Sequence, residues 1–383
     1  MGKIIHIHSR PRAVVDWECH RKYYYSYEYG GRGIRSNASF LALFLGTALH
    51  DALAGIAFQT QLKQPVDIDA IAKATHDEIL ETLSEDKDSQ KDLTFAEEQA
   101  ILIEGSVRAF YKHAWPALLK DYPVVLAVEQ EMTFGHDGML FVCKPDLVLG
   151  KVDGSSCVYV EYKSTSSKKE QWFESWRTAI QLHATTRAIE QTLGIPTDGF
   201  IVQGIYKGYE SYGKQHSPIC YAYRKAGNPP FTKEEFSYEY KAGFKKYPVW
   251  ELDGGLQLWI ANMPTKVLAD QLPRTELIFV KEDMMDAFFA QRAIRHKEIR
   301  LATAIIDEAG KDDDEDVVRE VLNTSFAQNF DKCTPAWGFS CPFKPLCFGE
   351  IGDPLKSGYM WREIHTEIEK QLIGETKDEP EQK

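Results

Sequence analysis

Charged residues inside two short, strand-like segments constrain this chain more than any other feature of its sequence. Residues 144–150 read KPDLVLG and residues 158–164 read VYVEYKS, with the turn-forming sequence KVDGSS between them. β-Branched and aromatic residues of this kind favour strands. Because side chains two residues apart on a strand point the same way, Glu161 and Lys163 are predicted to share one face. Burying such charges unpaired is costly, so the pattern indicates either a salt bridge or a bound cation.

The order of the predicted elements around these segments indicates an α/β fold. Residues 123–134, 139–150 and 156–164 are predicted to form a three-stranded meander or a pair of hairpins. One helix over residues 170–193, closed by Gly194 and Pro196, and a strand over residues 199–208 follow. Strands that alternate with helices in this way predict a mixed central sheet flanked by helices.

The flanking parts of the chain are predicted to be mainly helical. A strongly apolar segment over residues 40–58 predicts a buried helix that carries His50, and amphipathic helices are expected near residues 67–83 and 94–119. A strand over residues 276–283 precedes a long helix over 284–308, and the acidic segment 310–320 is expected to be a solvated loop or helix start. The pattern does not resolve residues 211–272.

We predict one domain over residues 1–372, followed by a disordered tail over residues 373–383. Its predicted parts are a helical N-terminal part (1–120, with Cys19 and His50), a catalytic core (121–210), accessory strands and helices (211–330) and a cysteine loop (331–350).

Charge and hydropathy exclude several classes of protein. The net charge of −12 over 383 residues argues against a protein that coats nucleic acid by charge alone. The sequence contains no apolar run of about 18 residues and no secretory signal, so we predict a cytoplasmic protein without a membrane partner. It also lacks a Walker A motif, so any helicase activity would belong to a separate partner protein.

The cysteines fall into two groups. Cys143, Cys157 and Cys220 lie in apolar, strand-like segments and are predicted to be small core residues. The other four, one near the N-terminus and three near the C-terminus, are predicted to bind a metal centre together: Cys19, Cys333, Cys341 and Cys347. Four unrelated thiols and structural zinc are the alternatives. Zinc sites usually contain closely spaced cysteine pairs, whereas the wide spacing here favours an iron–sulfur cluster.

The order of the motifs resembles that of the RecB-like branch of the PD-(D/E)XK nucleases, which includes the Cas4 and AddB nuclease domains. The motifs are GTALH (residues 46–50), PD (145–146), EYK (161–163) and a following helix with Gln181. The resemblance implies a restriction-endonuclease-like fold in which His50, Asp146 and Glu161 bind Mg²⁺ or Mn²⁺. It also implies that Lys163 is catalytic and that Gln181 helps to hold the site.

Two further features of the family pattern concern individual residues. Thr185 stands where the family usually has the tyrosine of a Q-x-x-x-Y motif, so the DNA contact expected from that tyrosine is in doubt. Glu129 or Glu131, on the preceding strand, is a candidate for an additional carboxylate.

The cysteine pattern also resembles that of the iron–sulfur members of this branch. They have one N-terminal cysteine, often followed by basic and aromatic residues, as in CHRKYY (residues 19–24), and three near the C-terminus. The resemblance implies a [4Fe–4S] cluster that joins the two ends of the chain, with a structural role.

The function implied by the resemblance is metal-dependent hydrolysis of DNA, by an exonuclease acting on ends or single strands in recombination, repair, CRISPR adaptation or phage DNA metabolism. The alternatives are a non-catalytic DNA-binding module and a zinc-stapled RNA-processing nuclease. Candidate contacts to phosphates are Arg21, Lys22, Lys168 and Lys169. Tyrosines between residues 23 and 29 either stack on bases or pack against the metal cluster.

Overall fold

The computed structural model describes residues 7–36, 41–85, 93–165, 169–177, 179–206, 272–312, 314–333, 340–364 and 366–373. Cys220, Lys168 and most of the segment that the sequence pattern left unresolved lie outside these residues. The predicted C-terminal tail does too, except Ile373, which ends the last helix.

The strands and helices are numbered here in chain order. The strands are β1 (Ile7–His8), β2 (Ile34–Ser36), β3 (Val124–Val128), β4 (Met132–His136), β5 (Met139–Cys143), β6 (Leu147–Gly150), β7 (Cys157–Thr165), β8 (Thr197–Tyr206) and β9 (Tyr359–Trp361). The α-helices are α1 (Arg10–Glu18), α2 (His20–Tyr23), α3 (Leu41–Gln61), α4 (Ile68–Glu85), α5 (Leu93–Ala109), α6 (Trp115–Leu118), α7 (Lys169–Arg177), α8 (Ile180–Leu193), α9 (Glu282–Lys311), α10 (Glu315–Thr324), α11 (Lys344–Cys347) and α12 (Glu367–Ile373).

The central sheet has four strands in the order β3-β6-β7-β8. Strands β3, β6 and β7 pair antiparallel, and β7 pairs parallel with β8 along its whole length. Parallel neighbours need a crossover connection, which α7 and α8 supply between β7 and β8. The predicted mixed sheet flanked by helices is confirmed.

The prediction that residues 123–134 and 139–150 form one strand each is wrong. Each segment divides into two strands, so that β4 and β5 form a hairpin in a second sheet, where β5 also pairs parallel with β1. Asp137 and Gly138 both have positive φ at the hairpin turn, as a two-residue turn of twisted strands requires. The chain therefore leaves the central sheet after β3 and returns to it at β6, and the backbone N–H of Glu129 donates to the Asp146 carbonyl (3.2 Å) at this crossing.

The prediction of one helix over residues 170–193 is also wrong. The segment forms two helices, α7 and α8. Ala179 stands at the break between them, and its ψ of 71° is not helical. No glycine or proline stands between Lys169 and Leu193 to mark this break in the sequence. The end of α8 is as predicted, because Gly194 adopts the left-handed conformation that closes many helices.

Both faces of the central sheet are buried. Val158, Val160 and Tyr162 of β7 pack on one side against α3 and α5, whose buried residues include Leu49 and Ile103. The opposite side of the sheet packs against α8, α9 and the β4–β5 hairpin. The apolar helix predicted from residues 40–58 is therefore α3, and the helix predicted over residues 94–119 is α5 continued through a π-turn into α6.

Residues 272–280 cross the outer side of β8 and pair with it through isolated bridges at Arg274 and Ile278. The strand predicted over residues 276–283 is replaced by these single bridges, and α9 begins at Glu282. The crossing is so close that a Cβ on Gly199 would stand 2.2 Å from the Ile278 carbonyl oxygen, so the position requires glycine.

The two ends of the described chain pack against each other. Strands β2 and β9 pair antiparallel, and the buried Arg12 on α1 forms an ion pair with Glu369 on α12 (2.5 Å). Aromatic residues from both ends, including Tyr24 and Phe326, share one buried cluster. None of the described helices has the length and apolar character needed to cross a bilayer.

Candidate active site

Three potential metal ligands meet where α3 crosses the end of the central sheet. His50 lies on the half-buried side of α3, and its Nδ1 stands 3.6 Å from Asp146 Oδ1. One ligand atom each of His50, Glu129 and Asp146 lies within 4.8 Å of the other two, and no other such group of three occurs in the described residues. An imidazole and two carboxylates form a donor set suited to a divalent cation.

Asp146 is held in place by the backbone of the neighbouring strand. It precedes β6 directly, and its Oδ2 accepts a hydrogen bond from the backbone N–H of Tyr162 on β7 (2.6 Å). Burial by itself would raise the pKa of Asp146, but the hydrogen bond from His50, together with the positive charge of Lys163, lowers it below its ordinary value. The Asp146 carboxylate is therefore kept ionised.

Glu129 joins the group through an unusual backbone conformation. It follows β3 at the point where the chain turns towards the β4–β5 hairpin, and its φ of 46° is rare for a residue other than glycine. Burial and the charge of Asp146 raise the pKa of Glu129, although an ion pair with Lys144 (3.0 Å) opposes this. Two carboxylates held side by side are stabilised by a shared cation.

Glu131, the other candidate carboxylate, has a different role. Its oxygens accept hydrogen bonds from the backbone N–H groups of Glu367 (3.0 Å) and Ile368 (3.1 Å). It therefore caps the N-terminus of α12 from outside that helix. The sequence pattern does not distinguish Glu129 from Glu131 as the additional carboxylate, and the structure places Glu129 in the group.

Glu161 and Lys163 share one face of β7, as the alternation predicts. The Glu161 side chain is buried, accepts a hydrogen bond from the Tyr159 hydroxyl and forms an ion pair with Lys163. Burial raises the pKa of Glu161 against the opposing effect of Lys163. Lys163 Nζ also donates to the backbone carbonyl of Tyr162 (3.0 Å). The backbone N–H of the same tyrosine donates to Asp146.

Four predicted residues of the site thus divide between two adjoining places: His50, Asp146, Glu161 and Lys163. The structure brings Asp146 together with His50 and Glu129. It pairs Glu161 with Lys163 on β7, and Tyr162, the residue between them in sequence, donates its backbone N–H to Asp146. Glu161 is not within 4.8 Å of all three ligand atoms of the first group. Gln181 lies in the first turn of α8, but its side chain is outside the described part of the structure.

The family model of the PD-(D/E)XK nuclease superfamily matches residues 17–348. This chain belongs to that superfamily. No curated protein matches it. Nucleases of this superfamily use divalent metal ions, and the donor set of His50, Glu129 and Asp146 fits one.

In this PD-(D/E)XK nuclease, the position that follows Gln181 by one helical turn lies in the interior. Thr185 is buried and hydrogen-bonds with the thiol of Cys143, whose Sγ also contacts the Met132 carbonyl (3.6 Å). Cys157 is fully buried, as predicted for a core residue, and Cys143 is half-buried.

The four cysteines at the ends of the chain are neighbours. The Asn329 N–H donates to Cys19 Sγ (3.3 Å), the Cys333 thiol donates to the Asn329 carbonyl (3.6 Å), and the Cys341 N–H donates to the Cys333 carbonyl (3.1 Å). Burial, and the proximity of the other three thiols, raise the pKa of Cys347 to about 12. No three of these four described sulfurs lie within 4.8 Å of one another.

Arg21 is not available for the phosphate contact that the sequence suggested. Its side chain is buried and donates to the Phe326 carbonyl (2.9 Å) and to Asn323 Oδ1 (2.9 Å). Lys22 is partly exposed and pairs with Glu18 (2.9 Å). The Lys169 side chain lies outside the described part of the structure, and the alternative role predicted for the tyrosines fits Tyr23, Tyr24 and Tyr25, which are buried.

Proposed function

We propose that this chain is a Mg²⁺- or Mn²⁺-dependent DNA nuclease of the RecB-like branch, acting as an exonuclease on ends or single strands. The observation that carries the proposal is the meeting of His50, Glu129 and Asp146 beside the strand that bears Glu161 and Lys163. These side chains come from four separate parts of the sequence, and neither packing nor an isolated salt bridge accounts for their convergence.

His50, Asp146 and Glu129 are the residues that would hold the divalent ion, with Glu161 as a further carboxylate ligand from the adjoining strand. A bound Mg²⁺ or Mn²⁺ would supply charge stabilisation at the scissile phosphate and lower the pKa of water. The Tyr162 N–H fixes the orientation of Asp146, and the Tyr159 hydroxyl fixes that of Glu161.

Lys163 is placed to act on the attacking water or on the phosphate. Its Nζ lies between the Glu161 carboxylate and the Tyr162 carbonyl, at the border of the two groups. An ammonium group at this place can orient a water molecule and stabilise negative charge that develops on phosphate oxygens. Gln181, on the helix after β7, is proposed to help hold the site.

The four cysteines are proposed to bind a [4Fe–4S] cluster that joins the chain ends. In tetrahedral zinc sites the thiolates stand about 3.8 Å apart, given Zn–S bonds of about 2.3 Å. No three of the four described sulfurs lie within 4.8 Å of one another, so they do not form a ready-made zinc set of this kind, and we propose the larger cluster. Residues 1–372 would then form one domain, with the cluster stabilising the packing of its two ends.

The proposal is tested with protein purified without oxygen and with DNA labelled at either end, as single and double strands. We expect Mn²⁺- or Mg²⁺-dependent shortening from an end, and no cleavage by Glu161→Gln, which should still bind DNA. Wild-type protein that binds DNA without ever cutting it would favour a non-catalytic DNA-binding module. Cleavage confined to RNA, by a colourless protein that contains zinc, would favour the RNA-processing alternative.

A further inference from the structure

Lys144 is a half-exposed lysine beside the candidate metal ligands. Its Nζ forms an ion pair with Glu129 Oε2 (3.0 Å), and its side chain is 51% exposed. It lies in the connection from β5 to β6, two residues before Asp146. Lys144 is therefore open to solvent and in direct contact with one of the three residues that would hold the ion.

The backbone around Lys144 is fixed, whereas its ammonium group is free to move. Pro145 follows it and restricts the preceding residue to an extended conformation. The Glu129 N–H donates to the Asp146 carbonyl (3.2 Å), which holds this connection against the end of β3. Ion pairs between partly exposed side chains are weak, so the flexible lysine can leave Glu129 at small cost.

A divalent ion at the group of His50, Glu129 and Asp146 would compete with Lys144 for Glu129. Without the ion, the two carboxylates and Lys144 leave one net negative charge. A divalent ion turns this into one net positive charge, and it weakens the attraction of Glu129 for the ammonium group. The resulting charge matches the single negative charge of a phosphodiester group.

A phosphate held at the ion would lie within the range of the Lys144 side chain. Its Nζ stands 3.0 Å from a carboxylate that would itself bind the ion, and the stem of a lysine has four rotatable carbons. Lys163 is placed differently. Its side chain is only 25% exposed and pairs with the buried Glu161, so it has less freedom to change its partner.

We propose that Lys144 binds a phosphate of the nucleic-acid strand next to the candidate metal site, and that Glu129 holds its ammonium group until a divalent ion binds. The ammonium group leaves a carboxylate whose charge the ion neutralises, and it meets a phosphate of the same charge. This inference rests on the proposed nuclease function, because it takes the nucleic-acid strand as the ligand.

The first test measures DNA binding by full-length protein that carries Glu161→Gln, which is expected to bind DNA without cutting it. Fluorescence anisotropy gives the affinity for labelled single-stranded DNA at several NaCl concentrations, in EDTA and in saturating Mn²⁺. Lys144→Met removes the ammonium group, and Lys144→Arg keeps a cation that binds phosphate. Lys151→Met is the matched control, because Lys151 is also partly exposed (41%) and pairs with Asp198 (2.9 Å), but at the opposite end of β6.

In Mn²⁺ we expect Lys144→Met to weaken DNA binding by about threefold to tenfold. The slope of log affinity against log salt should fall in magnitude by about 0.7, the value for one lost phosphate contact on a single strand. In EDTA its slope should equal that of the parent protein, since Glu129 holds the lysine there. Lys144→Arg should restore the slope in Mn²⁺, and Lys151→Met should leave it unchanged.

The second test is calorimetric titration of the otherwise wild-type protein with Mn²⁺ in the absence of DNA. Lys144→Met should bind Mn²⁺ about threefold more tightly or better, because the ion no longer displaces an ammonium group from Glu129. Unchanged DNA affinity and salt slope in Mn²⁺, a slope that falls equally in EDTA, or weaker Mn²⁺ binding by Lys144→Met would each overturn the proposal. Tighter Mn²⁺ binding by Lys144→Met, in a protein whose wild type cuts no DNA, would contradict the nuclease function and leave the competition at Glu129 intact.

Discussion

At the scale of single residues, the sequence predicts those site residues whose charge is unusual for the apolar strand segments around them. Asp146, Glu161 and Lys163 are charged residues in apolar strand segments, and burial makes such residues costly unless they are paired. The role of Glu129 was not predictable to the same degree. It stands two residues from Glu131 in a segment that reads as one strand, and only its left-handed backbone conformation turns it towards His50.

Glu129 and Glu131 offer a matched test of this difference. We expect Glu129→Gln to weaken Mn²⁺ binding by about tenfold or more, because it removes a charged ligand from the group. Glu131→Gln should leave Mn²⁺ affinity nearly unchanged, since its carboxylate caps α12. Calorimetric titration of the two variants with Mn²⁺ decides the point, and equal affinities would remove Glu129 from the ligand set.

The buried Asp16 should make the stability of the protein dependent on acid pH. Burial alone would raise the pKa of Asp16, but hydrogen bonds from His20 and Arg295 and the charge of Arg292 lower it below the ordinary 3.8. A carboxylate with a lowered folded-state pKa stabilises the protein fully above its unfolded-state pKa of about 3.9, and this contribution is lost as the pH falls through the folded-state pKa.

We therefore expect Asp16→Asn to reduce the free energy of unfolding at pH 7 by about 3 kcal/mol or more, because it leaves two guanidinium groups without their buried partner. The difference from the wild type should remain at pH 5 and shrink below about pH 4. Urea unfolding at several pH values measures this. Asp77→Asn, on the exposed side of α4, is the control, and a deficit in Asp16→Asn that did not shrink in acid would contradict the assignment.

At the scale of elements, the sequence predicts the central sheet and most helices because their apolar periodicity is strong. It could not show that β3 and β6 belong to one sheet and β4 and β5 to another, since the connections from β3 to β4 (residues 129–131) and from β5 to β6 (residues 144–146) contain no glycine and only one proline, Pro145. The break between α7 and α8 has no local signal either. Both features arise from packing against distant parts of the chain, which the sequence pattern does not record.

Two glycines test how closely these elements pack. Gly199→Ala should lower the free energy of unfolding by several kcal/mol, because φ at this position is 137° and the new Cβ would meet the Ile278 carbonyl. Gly310→Ala, near the end of α9, should instead raise it by up to about 1 kcal/mol, since its surroundings are open and alanine favours a helix. Urea midpoints for both variants measure the two effects, and a neutral Gly199→Ala would mean that residues 272–280 do not cross β8 in solution.

At the scale of the whole molecule, the chain ends are held together by more than the cysteines. The resemblance predicted that Cys19 and the three C-terminal cysteines meet, but the ion pair of Arg12 with Glu369 and the pairing of β2 with β9 have no sequence signal. These contacts involve residues more than 300 positions apart, so no local pattern can reveal them.

The proposed cluster leads to a prediction about colour and stability. Protein purified without oxygen should be brown, with absorbance near about 400 nm, and Cys347→Ser should lose this colour and unfold at lower temperature. Cys157→Ala, in the buried core, should keep the colour. A colourless wild type that contains zinc or no metal would contradict the cluster.

The central claim is that one divalent ion, held partly by Asp146, enables this chain to cut DNA. Its most direct test is the rate of DNA cleavage by protein stripped with EDTA and then titrated with Mn²⁺, for the wild type and for Asp146→Asn. We expect no cleavage in EDTA, restoration by Mn²⁺ in the wild type only, and a loss of at least about a thousandfold in Asp146→Asn with DNA binding retained. Cleavage that persists in EDTA, or that Asp146→Asn performs at the wild-type rate, would contradict the account.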